Sequence, residues 1–474
     1  MICGLKPYPV MKDSGLPWLG KLPEHWCVKR GKVLFRCIDV RSATGTEELL
    51  TVSSERGVVP RSSATVTMFK AESYTGYKLC WPGDLVINSL WAWNRGLGVS
   101  QHHGIVSSAY GVYRLRPGFE GYSHYIHELV RSAPFNWELH VRSKGIWISR
   151  LQLTDESFLD APFPVPAEGE QAAIVRFLDH AERRIRHYIR AKQKLIKLLE
   201  EQKQVIIHYA VTRGLDPNVR LKPSGIPWLS EMPEHWDAAA LRRNWQVIDC
   251  KHLTVPFVED GIPLASVVEI RGFELNLSRC KKTKPEWYRL LIEGGRKPNR
   301  GDLIYCRNAS VGSCALVDTD IDFAMGQDVC LIRSRSQNQR FLNYLFHSPF
   351  MAHQLELLLV GSTFKRINIS EIKALAVLVP PKKEQDRICE FLDSELGIYD
   401  NASRRTEREI SLLREYRARL IADVVTGKLD VRETSAKLPD EAEEMAVPDI
   451  AEEVEDAEDT TEGGSLDDGT EEAA

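Results

Sequence analysis

The sequence predicts an α+β protein: two mixed α/β globular domains joined by two long antiparallel coiled-coil helices, the halves related by an approximate two-fold repeat. Three observations carry this. The segment Ser14-Gly-Leu-Pro-Trp-Leu-Gly-Lys-Leu-Pro-Glu-His-Trp26 returns as Ser224-Gly-Ile-Pro-Trp-Leu-Ser-Glu-Met-Pro-Glu-His-Trp236. A charged helical stretch opening at Glu170-Gln171 and closing at Val211-Thr-Arg-Gly214 returns, without insertion, from Glu384-Gln385 to Val425-Thr-Gly427. Both stretches carry apolar residues at steps of three and four, the seam of a coiled coil. A repeat unit of about two hundred residues is a duplicated domain plus helix and not a solenoid.

In chain order, residues 1–166 form the first globular domain. Trp81-Pro-Gly-Asp84 is a turn that feeds a strand, Leu85-Val-Ile87. The Pro-punctuated Ala161–Pro166 leads into the first helix, 167–214, with Ile174, Leu178, Ala181, Ile185, Tyr188, Leu195, Leu199 and Ile206 as its seam. Lys192 and Gln202 break it, and Gly214 is a natural stop. Residues 215–381 form the second domain, where Asn299-Arg-Gly-Asp302 precedes the counterpart strand, Leu303-Ile-Tyr305. The second helix, 382–432, carries Ile388, Leu392, Tyr399, Ala402, Leu413, Tyr416 and Leu420, interrupted by Glu395, Thr406 and Glu409. An isolated helix of this length cannot bury its stripe, so each needs a partner, and the nearest is the other helix. Residues 433–474 read as an acidic disordered tail.

Composition bounds the function. The net charge of −4 hides an asymmetry, because from Asp440 onward the chain has 16 acidic residues and no lysine or arginine. The remaining body carries 62 basic against 50 acidic residues, which suggests a polyanionic partner. No apolar run approaches a membrane span, and Met1–Lys6 has no leader-like pattern, so a cytoplasmic chain with no membrane contact is expected. The ten cysteines form no Cys-x-x-Cys pair, and His102-His103 lacks a third ligand at metal spacing, so no metal is expected. There is no phosphate loop of the Gly-x-x-x-x-Gly-Lys type and no Asn-Pro-Pro-Tyr motif for holding a flipped adenine. Gly96-Leu-Gly98 is too short for a cofactor loop.

The duplicated Pro-Trp-Leu…Pro-Glu-His-Trp segment, the Glu-Gln-x-x-Ile-x-x-Phe-Leu-Asp openings at 170–179 and 384–393, and Gly361-Ser-Thr-Phe-Lys-Arg-Ile-Asn-Ile-Ser-Glu-Ile372 together resemble the specificity subunit of type I restriction-modification enzymes. The resemblance implies two target recognition domains at opposite ends of the helix pair. Each reads one half of a split, asymmetric site in double-stranded DNA, and the helices measure the gap. It also implies docking of two methyltransferase (modification) subunits and of restriction/translocase subunits. The chain would hold no catalytic site and no cofactor, with S-adenosylmethionine bound on the partner subunit. The acidic tail lies outside the resemblance. A pseudo-dimeric protein-binding scaffold is the alternative reading, against which the basic body argues.

Base reading needs Arg, Lys, Asn or Gln in a groove, and backbone clamps need Lys, Arg, Ser or Thr. After the first strand stand Trp91, Trp93, Asn94 and Arg95; at the matching place in the second domain stand Arg307, Asn308 and Ser310. The alternative is that both tryptophans are core and Arg95 a solvated charge. Lys144 in the first half, and Ser362, Thr363, Lys365 and Arg366 in the second, precede the helices as phosphate-binding candidates or as turns with solvated ends. The arginines and lysines from Arg183 to Lys197 read as a solvated helix face. His25-Trp26 and His235-Trp236 read as structural, because identical residues cannot read two different half-sites.

Overall fold

The computed structural model describes residues 5–64, 73–145, 151–359 and 366–439. Its contacts divide the chain into two units: residues 1–193 with 408–474, and residues 194–407. The principal strands of the first unit are β1 (Phe35–Cys37), β2 (Leu85–Asn88), β3 (Leu97–Val99) and β4 (Tyr110–Leu115). Helix α1 (Ala133–Arg142) and the long α2 (Glu168–Arg213) follow. In the second half β5 (Gln246–Asp249), β6 (Leu303–Cys306), β7 (Cys314–Leu316) and β8 (Val329–Arg333) are followed by α3 (Pro349–Leu359) and the long α4 (Lys382–Val425).

The two units share one topology. Each holds a four-stranded antiparallel sheet, in the order β1-β4-β2-β3 in one and β5-β8-β6-β7 in the other. The central strands are buried on both faces, which is why they read as unbroken apolar runs. Alternation sends Leu85 and Ile87 into the helical core and Val86 to the opposite face. Leu303 and Tyr305 do the same against Ile304 and Cys306.

The turn before the second strand of each sheet is built the same way. Gly83 (φ 90°) and Gly301 (φ 92°) take the left-handed turn position. Asp84 accepts the Trp81 N–H at 2.9 Å and Asp302 that of Asn299 at 2.8 Å. Arg114 grips both oxygens of Asp84 at 2.7 Å, and Arg333 reaches Asp302 at 2.6 Å. The Gly-Asp pair thus ties its turn to the neighbouring strand.

The repeated Glu-His-Trp segment has a matching account. His25 meets Glu170 in the first turn of α2 at 2.7 Å, and His235 meets Glu384 in the first turn of α4 at the same distance. Trp26 and Trp236 are fully buried. Each lies against the glycine that ends a long helix. A Cβ on Gly427 (φ 74°) would stand 2.5 Å from Pro23 and 3.1 Å from Trp26, and one on Gly214 (φ 76°) 3.3 Å from Trp236. The motif therefore joins the start of one long helix to the end of the other, once in each unit, and its structural reading holds.

Within each unit the long helices run antiparallel. In the first, Glu182 pairs with Arg417 at 2.5 Å and Lys192 with Glu409 at 2.5 Å; in the second, Lys203 pairs with Asp400 at 2.7 Å. Lys192 and Glu409, which interrupt the two apolar stripes in sequence, thus answer each other. The seam departs from the expected one at two places. Tyr188 and Leu195 are each 44% exposed, and Ile189 and Ile196 take the inward positions. A step of four instead of three after Ile185 shifts the stripe by one residue. Thr406 is buried, its hydroxyl donating to the Ala402 carbonyl at 2.8 Å.

The helix ends differ from expectation on the C-terminal side. The second long helix stops at Val425, ahead of Gly427. The segment expected to be disordered from 433 begins instead with a short helix, Arg432–Ala436. Arg432 pairs with Asp430, Ser435 is buried, and Arg176 donates to the carbonyls of Leu438 and Pro439 at 2.9 and 3.3 Å. The acidic residues from 440 lie outside the described residues, and among those described no helix is long and apolar enough to cross a membrane.

Candidate nucleic-acid interface

In the first unit the residues after β2 form a tight loop closed on its own backbone. The Asn88 N–H donates to the Gly96 carbonyl at 2.8 Å, and the N–H groups of Asn94 and Gly96 both reach the Trp91 carbonyl at 2.9 Å. Arg95 sits in the left-handed region (φ 60°), and a Cβ on Gly96 would stand 2.6 Å from that carbonyl. This winding turns Trp91 outward, 53% exposed. Trp93 is half-buried and stacks on Trp91 with centroids 6.1 Å apart and planes at 17°. Its indole N–H donates to the Leu90 carbonyl at 2.9 Å, and His140 of α1 meets its edge. Neither tryptophan belongs to the core, so that alternative is excluded.

Asn94 and Arg95 are exposed. The Arg95 N–H donates to Asn136 of α1 at 3.2 Å, which fixes the loop and leaves the guanidinium outside. Lys144 is exposed and pairs through its backbone with Gln152, whose neighbour Leu153 donates to the Ser89 carbonyl at 2.9 Å. The structure therefore gathers Trp91, Trp93, Asn94, Arg95 and Lys144 around one rim. Sequence reading missed the partners on α1. Trp137 and Val141, 52% and 58% exposed at a spacing of four, lie on the helix that carries Asn136 and His140. The available signal was two apolar residues on a helix face that nothing else needed to bury.

Beneath the loop, the Arg131 guanidinium donates to the Leu97 carbonyl at 2.8 Å and to those of Ser54 and Glu55 at 2.8 and 2.5 Å. Burial holds it down at about 10. Burial also lowers His127 to about 4, where its Nδ1 accepts the Val99 N–H at 3.2 Å. Glu128 is pushed up to about 7 by burial and then by the charge of Glu182.

The second unit builds the matching loop differently, and here Arg307 requires correction. It is 4% exposed, paired with Asp249 of β5, and aims Nε at the Ile367 carbonyl at 3.5 Å. A buried guanidinium already paired with a carboxylate braces the loop and does not present itself to a base edge. Asn308 is half-buried; its Nδ2 donates to Asp328 at 3.3 Å and its Oδ1 accepts the Ala309 N–H at 2.8 Å. Arg366 pairs with the same Asp328 at 3.4 Å and keeps its side chain 50% exposed. Asp328, in the left-handed region at φ 63°, thus joins two candidates that are far apart in sequence.

Ser310 is exposed on the rim of a groove of about 670 Å³ that runs from the Ala309–Ser313 loop to Leu355 and Glu356 of α3. Ser362, Thr363 and Lys365 lie outside the described residues. One compact set of possible metal ligands occurs among the described residues: Asp249, Cys250 and His252 place one donor atom each within 4.8 Å. Both Asp249 oxygens are already engaged, by Arg307 and by His252 Nε2 at 3.1 Å, and burial pushes the Cys250 thiol up.

Comparison with known proteins falls in line with this geometry. The family model described as "Type I restriction modification DNA specificity domain" matches residues 277–407. The MjaVIII type I restriction enzyme specificity subunit of Methanocaldococcus jannaschii is 22% identical over 62% of this chain and 68% of its own length. The EcoBI specificity subunit of Escherichia coli is 22% identical over 58% of this chain, and the match spans only 60% of that relative. A chain solved in work on "complex assembly" and "conformational transition of the type I R-M system" shares the fold at a TM-score of 0.63 and 18% identity, covering 86% of this chain and 99% of that one. A doubled domain-and-helix unit, one sheet order used twice and loops that differ where the sheets agree thus occur in a chain whose residues 277–407 match the type I restriction modification DNA specificity domain and which is similar in sequence to type I restriction enzyme specificity subunits.

Proposed function

We propose that this chain is the DNA-specificity subunit of a type I restriction-modification complex and reads a bipartite, asymmetric site. The observation that carries the reading is that two sheets of identical strand order present different chemistry after the equivalent strand. One presents Trp91, Trp93, Asn94 and Arg95; the other presents Asn308, Ser310 and Arg366. A shared frame with unlike reading groups suits two unlike half-sites. The aromatic rim supplies stacking or wedge surface, Asn94 and Arg95 supply base-edge donors, and Lys144 and Arg366 supply phosphate contacts.

In this reading the chain contributes address and binding energy and performs no chemistry. Modification subunits docked on it hold S-adenosylmethionine and methylate one adenine in each half-site, and restriction subunits add translocation and cleavage. The missing phosphate loop and missing adenine-pocket motif support that division of labour. The test is methylation sequencing of DNA from cells that express the chain with its modification subunit, against that subunit alone. A split motif with two unlike halves and a fixed gap is the expected result. Exchanging one globular domain should then change one half only. A stable complex of the two proteins that leaves no methylated motif would sink the DNA reading and favour a protein-binding scaffold.

A further inference from the structure

We propose that Gln327 is the side chain with which the second unit reads an A·T pair of its half-site in the major groove, and that Lys281 clamps a phosphate beside it. The assignment rests on the DNA-specificity function proposed above and names the base pair and the residue. Three observations carry it.

The first is what the loop after β6 leaves free. Arg307 is buried against Asp249. Both ends of the Asn308 carboxamide are engaged, Nδ2 by Asp328 and Oδ1 by the Ala309 N–H. Arg366 is drawn to the same Asp328. An A·T pair is recognised in the major groove by a donor and an acceptor presented together. None of these three side chains offers such a pair.

The second is Gln327 itself. Its neighbour Asp328, in the left-handed turn, accepts the Arg307 N–H on its carbonyl at 2.8 Å, which fixes the chain at this rim. Gln327 is exposed there, and its Nε2 donates to the Thr254 hydroxyl at 3.3 Å. That bond uses one amide hydrogen and orients the carboxamide. Among the described residues nothing else takes its second amide hydrogen or Oε1. Side by side, these are the donor and acceptor that match N7 and the N6 amino group of adenine. A side chain already oriented loses less freedom on binding.

The third is the neighbouring cation. Strands Lys282–Thr283, Ile262–Ala265 and Ala324–Met325 form one small sheet, with Ile262–Ala265 in the middle. At the Ala265 end, the Lys281 carbonyl accepts the Leu264 N–H at 2.9 Å and the Ala265 carbonyl accepts the Gly326 N–H at 2.7 Å. Lys281 and Gln327 therefore flank the same end of that sheet. Lys281 is exposed, and its ammonium lies 4.4 Å from the centroid of Phe257, which follows Thr254 by three residues and is 56% exposed. A ring face holds a cation without neutralising it, so the charge stays available for a phosphate.

The experiment uses the full chain with its modification subunits. Methylation sequencing and exchange of one domain identify the half-site that belongs to the second unit. Fluorescence anisotropy then compares duplexes that carry each of the four base pairs at each position of that half-site. Q327A should weaken binding about tenfold at one A·T position and leave the preference at every other position unchanged. Q327E should move the preference at that position towards C·G, whose N4 amino group donates to a carboxylate. A damaged fold cannot produce such a gain. K281Q should weaken all duplexes alike, by about threefold, and reduce the slope of log affinity against log salt by about one. Equal loss at every position with Q327A, loss at none, or a Q327E complex that keeps the native preference overturns the role of Gln327. An unchanged salt slope with K281Q overturns the clamp. If the native complex itself prefers no sequence, the DNA-specificity function has failed, a result that a misassigned Gln327 would not give.

Discussion

The loops after β2 and β6 stand at equivalent places on equivalent sheets, yet arginine does opposite work in them. Arg95 is exposed, anchored by its backbone to Asn136, with its charge outside. Arg307 is 4% exposed and pairs inward with Asp249. The turns beneath them match, Asp84 with Arg114 and Asp302 with Arg333. A new loop surface on this frame therefore need not touch the Gly-Asp turn or the Glu-His-Trp joint. It replaces what the loop displays, and with it what braces the loop from below: Arg131 on carbonyls in one unit, Arg307 on a carboxylate in the other.

The largest effects should come from the shared frame. Trp26→Ala and Trp236→Ala each remove a fully buried indole packed on a helix-ending glycine and should each destabilise by about 3–5 kcal/mol. Hydrogen exchange resolved by peptide would localise the loss to the unit that carries the change. If one substitution were costly and the other harmless, the joints would not be equivalent. Next come the two arginines. Arg307→Ala strands Asp249 and should destabilise the second unit by about 3 kcal/mol, whereas Arg95→Ala should stay within about 0.5 kcal/mol. Duplex binding should invert the order, with Arg95→Ala weakening it by about 1–3 kcal/mol. Thermal unfolding and a binding titration on both variants decide the matter; an Arg307→Ala chain as stable as the native one would return Arg307 to the reading surface.

The legibility of these features follows from their range. The sheet strands were readable because burial on both faces makes continuous apolar runs, and the helix pair because its seam repeats over many turns. The interruptions at Lys192 and Glu409 looked like defects from sequence and are in fact each other's partners. No single-helix pattern reveals a cross-helix pair. Trp91 and Trp93 were readable as candidates by residue type, but whether they faced core or solvent depended on Arg95 adopting a left-handed conformation, which arginine seldom signals. Arg307 follows one strand and Asp249 ends another that is far away in sequence, so the arginine's burial was invisible. Asp328, which joins Asn308 to Arg366, was missed for the same reason.

A further effect concerns the ground under the first loop and depends on pH. Glu128 has its carboxyl raised to about 7, so between about 4.5 and that value the folded state holds a proton the unfolded chain has lost. Stability falls with rising pH across that window. His127, lowered to about 4, works the other way: the unfolded chain gains a proton first, so stability falls as pH drops from about 6.5 towards that value. The two slopes oppose each other between about pH 4.5 and 6.5. Glu128→Gln should therefore be nearly neutral at the acid end of this window. It should become stabilising by about 2 kcal/mol at pH 8, where the native chain carries a half-buried carboxylate beside Glu182. The helix Gln339–Phe346 of the second unit carries no histidine and no glutamate. The gain should therefore appear only in the melting of the first unit. A pH-independent gain would mean that the substitution acts through packing and not through the charge.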